Sequence, residues 1–192
     1  MNLVVVILAA GAGSRLAPGG VAKALLPIED TTYLARIAST ARAAGAVEIV
    51  AVIAEPHGAR VREQAESLAV RVIENPDPSR GMASSVALGF AALAQGDAAF
   101  LWPVDHPHVQ RETLVQLSAT LGNREVSRPR FGGRGGHPPL IARSAWSALA
   151  ACADVDGGAR AVIAGLDVIE VEVDDPGVVR DIDTPADLEA AS

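Results

Sequence analysis

A chain of 192 residues, 49% of them hydrophobic, can bury one core of ordinary size but is short for two. With 23 acidic against 16 basic residues, its net charge of −7 excludes a broadly basic face, and with it nucleic acid or an anionic membrane as the bulk partner. The single cysteine, Cys152, excludes an internal disulfide and a multi-cysteine metal site, and the apolar start is too short to cross a bilayer, so a cytoplasmic protein is expected.

Leu3 to Leu8 is apolar without alternation, which predicts a central strand covered on both faces, as in a parallel sheet. The chain then turns through Gly11 and Gly13, with Arg15 just beyond and Lys23 after a Pro-Gly-Gly stretch. Unpaired amides in such a turn form a concave anion site, which Arg15 and Lys23 can neutralise. A triphosphate fits that description. Further strands are expected at about 47–54, 70–73 and 98–102, and helices near 30–44, 57–68, 82–95 and 110–121. That alternation predicts a three-layer α/β/α architecture with a mostly parallel, Rossmann-like sheet. Its functional residues should line the carboxyl edge of the strands. No repeat or linker interrupts the pattern, so one domain, residues 1–192, is expected. From Glu125 to Arg143 arginines and glycines replace the periodicity, which suggests a small β-ribbon or lid, with a surface loop as the alternative.

Two familiar phosphate loops do not fit. The dinucleotide fingerprint takes Gly or Ala where this chain has Leu16, and the P-loop needs Ser or Thr after its lysine, where Lys23 is followed by Ala24. Other blocks carry chemistry of their own. Asp105 follows the strand ending near Trp102, where a carboxylate can hold Mg²⁺. Asp181 and Asp183 fall on one face of a short strand, and one of them, preferably Asp183, is a second candidate ligand. Thr184 and Pro185 look like a helix start. Asn75 to Met82 is a turn-rich loop opening a helix, and Trp146 is expected to pack a helix.

Leu8, Ala9, Ala10, Gly11, Gly13, Arg15 and Lys23, with Ala12 and Ser14 between them, match a nucleotidyltransferase signature. Blocks 75–90, 104–109, 132–141 with 156–160, and 181–188 follow in order. On these grounds the chain resembles the MobA-like nucleotidyltransferase family, and within it the molybdenum cofactor cytidylyltransferases. The resemblance implies the fold of the nucleotide-diphospho-sugar transferases. It also implies a Mg²⁺-dependent transfer of a cytidylyl group from CTP to a phosphorylated acceptor such as molybdopterin, with handover to a molybdoenzyme or its chaperone. Residues 8–15, Lys23, Gly81, Met82 and Ser85 would then bind nucleotide, and Arg15, Lys23 and Asp105 would be catalytic. Asp105 and Asp183 would hold metal, and His106, Gly136 and His137 would meet the acceptor. Arg134 and Arg160 are further candidates for an anionic acceptor. CTP is favoured because Ala10 matches the cytidylyl pattern. His106 stands where similar proteins have glutamine, and the stretch from Leu16 to Gly20 lengthens the usual gap between arginine and lysine. That gap keeps open a sugar 1-phosphate or a phospholactate-like acceptor. Two further alternatives are a nucleotide-binding regulatory or chaperone protein of the same fold and, third, a dehydrogenase.

Overall fold

The computed structural model describes residues 1–11, 13, 16, 20–182 and 187. Strand β1 (Leu3–Leu8) lies at the centre of the main sheet and is buried along its whole length. A tight hairpin, β2 (Pro27–Ile28) and β3 (Thr31–Thr32), precedes helix α1 (Tyr33–Ala43). The helix therefore starts three residues later than its periodicity suggests, where the Thr32 hydroxyl accepts a hydrogen bond from the Ala35 amide at 3.3 Å. Then follow β4 (Ala46–Ile53), α2 (Gly58–Ser67), β5 (Arg71–Glu74), α3 (Met82–Ala91) and β6 (Ala98–Pro103). The second half comprises α4 (Arg111–Thr120), β7 (Val126–Phe131), β8 (Arg134–Gly135), β9 (Leu140–Ala142), α5 (Trp146–Ala150), α6 (Gly158–Ala164) and β10 (Val168–Glu172).

Among the described residues the main sheet runs β10-β7-β9-β6-β1-β4-β5, with β8 paired to β7. Strands β6, β1, β4 and β5 are parallel; β9 runs antiparallel to both its neighbours, and β10 is parallel to β7. Because side chains alternate along a strand, β1 feeds two cores. Val5 and Ile7 pack with Tyr33, Leu34 and Ile37, whereas Val4, Val6 and Leu8 pack with Val86, Phe90 and Trp146. The chain fills one side of β1 through β4 and β5, then returns to its other side as β6. Leu8 pairs with Pro103, so the loops after β1 and β6 leave the sheet at one level, at the point where strand order reverses.

The arginine-rich segment, expected as a small β-ribbon or lid, forms a ribbon and extends beyond it. A short ribbon does form, since β7 pairs β8, but β7 and β9 are built into the main sheet. The reason lies in pairing across the sequence. Arg128 sits opposite Glu170 on β10, and its Nε donates to that carboxylate at 2.9 Å, while Val126, Ser127 and Pro129 are buried. The expected strand around Asp181 is absent at residues 181–182, though Ile182 is buried. No helix among the described residues is long and apolar enough to cross a membrane.

Candidate active site

Lys23 opens a single 3-10 turn (Lys23–Leu25) held down by buried Ala22 and Ala24. Asp105 follows β6 and is fixed by two backbone hydrogen bonds: the Val104 amide donates to the Leu8 carbonyl at 3.2 Å, and the Ile182 amide donates to the Asp105 carbonyl at 3.1 Å. These placements bring the Lys23 Nζ within 3.5 Å of Asp105 Oδ2, the two side chains being 12% and 22% exposed. The other carboxylate oxygen, Oδ1, is buried and has no hydrogen-bond partner. A buried carboxylate oxygen without a donor is an open acceptor position, and oxygen is the donor that Mg²⁺ prefers. No cluster of three or more His, Cys, Asp or Glu side chains able to hold a metal exists among the described residues.

Gly13 of the glycine-rich turn lies against the segment that leads to Lys23. At Gly13 φ is +58°, and a Cβ there would lie 2.4 Å from the Val21 carbonyl oxygen, so the loop can fold back on the segment leading to Lys23 only with glycine. Ala12, Ser14, Arg15, Asp183, Thr184 and Pro185 lie outside the described residues.

Beside Asp105 two histidines stack. The rings of His106 and His137 are 4.9 Å apart between centroids and tilted by 41°. His106 is buried; its carbonyl accepts from the Trp102 indole at 3.0 Å and its Nδ1 lies 3.4 Å from the Gly177 carbonyl oxygen. The His137 backbone amide donates to the Val178 carbonyl at 2.8 Å, and its side-chain Nδ1 is buried without a hydrogen-bond partner. Burial chiefly, helped by the neighbouring His106 and Arg128 and opposed by Asp181, lowers the His137 pKa to about 4. Its imidazole is therefore neutral at physiological pH and able to accept or donate one hydrogen bond. At Gly136 a Cβ would fall 2.4 Å from the Val178 carbonyl oxygen, so glycine is needed for this close approach.

Sequence reasoning missed what holds these histidines. Asp175 is 2% exposed, and its carboxylate accepts from the Gln110 amide at 2.8 Å, the Thr113 hydroxyl at 2.7 Å and the Gly177 amide at 2.9 Å. That network fastens the turn Pro176–Val179, whose carbonyls meet both histidines, onto the start of α4. The Asp-Pro-Gly run at 175–177 is an Asx-type turn signal that could have flagged it.

A cleft of about 530 Å³ opens on the α3 and α6 side of the sheet. Leu8, Leu101 and Pro103 contribute from the strand ends, Met82 and Val86 from α3, Gly136, His137 and Pro139 from the segment before β9, and Ile163 from α6. Gly81 has φ +83° and leads into Met82, which is 63% exposed at the cleft. Ser85 is buried and does not line the cleft; its hydroxyl accepts from the Asn75 side-chain amide at 2.9 Å, which pins the loop ahead of α3.

A doubly wound sheet with a glycine-rich turn, a lysine and an aspartate meeting at its switch point defines a nucleotide-handling α/β enzyme. The chain belongs to the MobA-like NTP transferase family, whose domain model matches residues 5–171, and is by that membership a nucleotidyltransferase. It is 30% identical to nicotine blue oxidoreductase from Paenarthrobacter nicotinovorans, over 93% of this chain and 91% of that one. It is 28% identical to the molybdenum cofactor cytidylyltransferase of Escherichia coli K12, over 95% and 92% of the two chains. Among solved structures, Rv0371c from Mycobacterium tuberculosis superposes with a TM-score of 0.83 at 26% identity, covering 98% of this chain and 96% of its own. A complex of Rv0371c with manganese gives a TM-score of 0.80 at 24% identity, over 100% and 98% of the two chains.

Proposed function

We propose that this chain transfers a cytidylyl group from CTP to molybdopterin, releasing pyrophosphate, in the cytoplasm. The observation that carries the reading is the Lys23 and Asp105 pair, 3.5 Å apart at the switch point of the sheet. Nucleotidyl transfer places an attacking phosphate oxygen opposite a departing pyrophosphate, so negative charge converges on one phosphorus. Positioning and neutralisation must then supply most of the acceleration. Lys23 is the compact cation for the α-phosphate, Arg15 grips phosphate oxygens through its planar fork, and the amides of residues 8–14 cradle the chain of phosphates. Asp105, with its buried unpartnered Oδ1, and Asp183 would hold Mg²⁺, which when bound shields the phosphate charge. Gly81 and Met82 border the nucleobase, with Ser85 supporting their loop from beneath. His106, Gly136 and His137 face the acceptor. The relationship to the E. coli cytidylyltransferase supports this choice of nucleotide and acceptor, and the manganese complex of Rv0371c supports a divalent cation.

The test is pyrophosphate release by purified protein with Mg²⁺ and molybdopterin, supplied separately with CTP, GTP, ATP and UTP. Release with CTP that Lys23→Ala and Asp105→Ala both abolish is the expected result. CTP binding without release would redirect the search to sugar 1-phosphates and phospholactate-like acids. If no acceptor supports release, a regulatory or chaperone role is favoured, and handover to a molybdoenzyme becomes the next question. A second reading rests on the relative named as an oxidoreductase: it predicts nicotinamide dinucleotide binding and hydride transfer without pyrophosphate. Leu16, buried where the dinucleotide fingerprint takes a small residue, argues against it.

A further inference from the structure

The loop that carries Asp105 leaves the end of β6 and is gripped on its far side by residues 173–182, which follow β10. We propose that Asp175 is a positioning residue for the reaction: it pins that segment to the start of α4, and the segment in turn holds Asp105 in place opposite Lys23. The proposal rests on the nucleotidyl-transfer reading for what Asp105 does there. Whether Asp175 holds the loop can be examined without turnover.

The sheet order shows what this segment must do. Strand β10 lies at one edge, with β7 and β9 between it and β6, so residues 173–182 cross the ends of those two strands to reach the Asp105 loop. On the way the Val173 amide donates to the Arg130 carbonyl at 2.9 Å, and the Val178 carbonyl accepts from the His137 amide at 2.8 Å. No strand forms along residues 173–182, so no ladder sets their path and side chains must fix it. Asp175 is the fixed point. It is buried, and its Oδ1 accepts from the Gly177 amide while its Oδ2 takes the Gln110 amide and the Thr113 hydroxyl. Gln110 is the N-cap of α4 and its side chain caps nothing, so Asp175 supplies an acceptor that the helix start itself lacks. Beyond this pin three contacts reach the loop. The Gly177 carbonyl oxygen lies 3.4 Å from His106 Nδ1, a Cβ on Gly177 would fall 2.6 Å from the His108 carbonyl oxygen, and the Ile182 amide donates to the Asp105 carbonyl at 3.1 Å. Asp105 Oδ2 stands 3.5 Å from the Lys23 Nζ, a separation that a shift of the loop would change directly. Misplacement by about 1 Å can cost on the order of a hundredfold in rate.

The chain has two tryptophans, so Trp146→Phe leaves Trp102 as the sole reporter, and its indole donates to the His106 carbonyl at 3.0 Å. In that background Asp175→Asn keeps one acceptor oxygen but sets an amide group against a donor, and Thr113→Val removes one donor alone. Val61→Ala, a truncation of a buried side chain on α2, is the control for general loss of stability. Acrylamide quenching of Trp102 in the folded chain is expected to rise about threefold with Asp175→Asn, less with Thr113→Val, and to stay unchanged with Val61→Ala. In the pyrophosphate assay, at a temperature where all variants are folded, Asp175→Asn should lower kcat about a hundredfold and leave the nucleotide KM within about threefold. Thr113→Val should lower kcat by up to about tenfold, and Val61→Ala should leave it within about twofold. The proposal is overturned if Asp175→Asn and Val61→Ala change quenching and kcat alike, or if Asp175→Asn leaves both at wild-type values. Should Asp175→Asn fail to fold, Thr113→Val decides: a joint change in quenching and kcat supports the proposal, and wild-type values of both overturn it. Absence of turnover by the wild-type chain with every acceptor would count against nucleotidyl transfer, and Trp102 quenching would still decide whether Asp175 holds the loop.

Discussion

The two halves of the sheet are made differently. Strands β1, β4 and β6 are apolar through most of their length, and each finds its neighbours through burial on both faces. Strands β7 and β10 carry arginines against glutamates, and their register depends on pairs such as Arg128 with Glu170, 42 residues apart in sequence. The first half presents the glycine-rich turn and Asp105, to which the proposed transfer assigns the phosphates and the metal. The second half presents Gly136 and His137, which the proposed function assigns to the acceptor. On the proposed reading, reaction type would reside in the part that hydrophobic burial dictates, and specificity in the part that polar pairing dictates.

The largest expected effect lies in the first half. Asp105→Ala should lower pyrophosphate release by about a thousandfold in steady-state kinetics, because it removes the anion opposite Lys23 and the open carboxylate oxygen together. Lys23→Arg should restore little of what Lys23→Ala loses, since a planar fork does not replace a compact charge in a half-buried position. If either variant kept wild-type turnover, the division between the halves would fail at its firmest point.

Next comes a pH effect in the second half. His137 resists protonation in the folded chain until about pH 4, whereas the unfolded chain takes the proton near 6.5. The unfolded state therefore binds more protons as pH falls through that window. The contribution of this site is intact above about 6.5 and is lost progressively towards 4. The loss is on the order of 3 kcal/mol by the lower end. Urea unfolding of the wild-type chain and His137→Gln, compared between neutral pH and pH 4, should show the variant losing less stability by about that amount. Equal slopes would mean that the imidazole is charged in the folded chain.

Gly136→Ala probes the same loop sterically. Its new methyl would meet the Val178 carbonyl, so the Pro176–Val179 turn must shift, at a cost of about 2 kcal/mol in unfolding free energy. The acceptor KM should rise with it, because the same carbonyl receives the His137 amide.

These expectations also show which parts of the molecule could be read from sequence. The strand Leu3–Leu8, the glycine turn and the place of Asp105 at a strand end followed from residue types within a few positions of each other. Ser85 did not: its type suits a ligand contact as well as a buried bond to Asn75, and only packing separates the two. For Asp175 only the local turn was legible, because two of its three donors, at Gln110 and Thr113, are more than 60 positions away. The place of the Arg128 strand in the main sheet is not legible locally, because its pairing is completed by Glu170, 42 positions away.

The smallest effect tests whether such pairing sets structure or energy. Arg128 and Glu170 are 40% and 33% exposed, so solvent screens their attraction, and a double-mutant cycle with Arg128→Ala and Glu170→Ala should return about 0.5 kcal/mol of coupling. Such a value would assign the pair to register, since a one-residue slip of β7 would turn the arginines inward and bury their charges. Glu170→Gln should then leave stability nearly unchanged while freeing Arg128 at the edge of the cleft. Binding of an anionic probe should strengthen slightly, by about twofold, and a coupling of several kcal/mol would instead place the energetic centre of the second half in the pair itself.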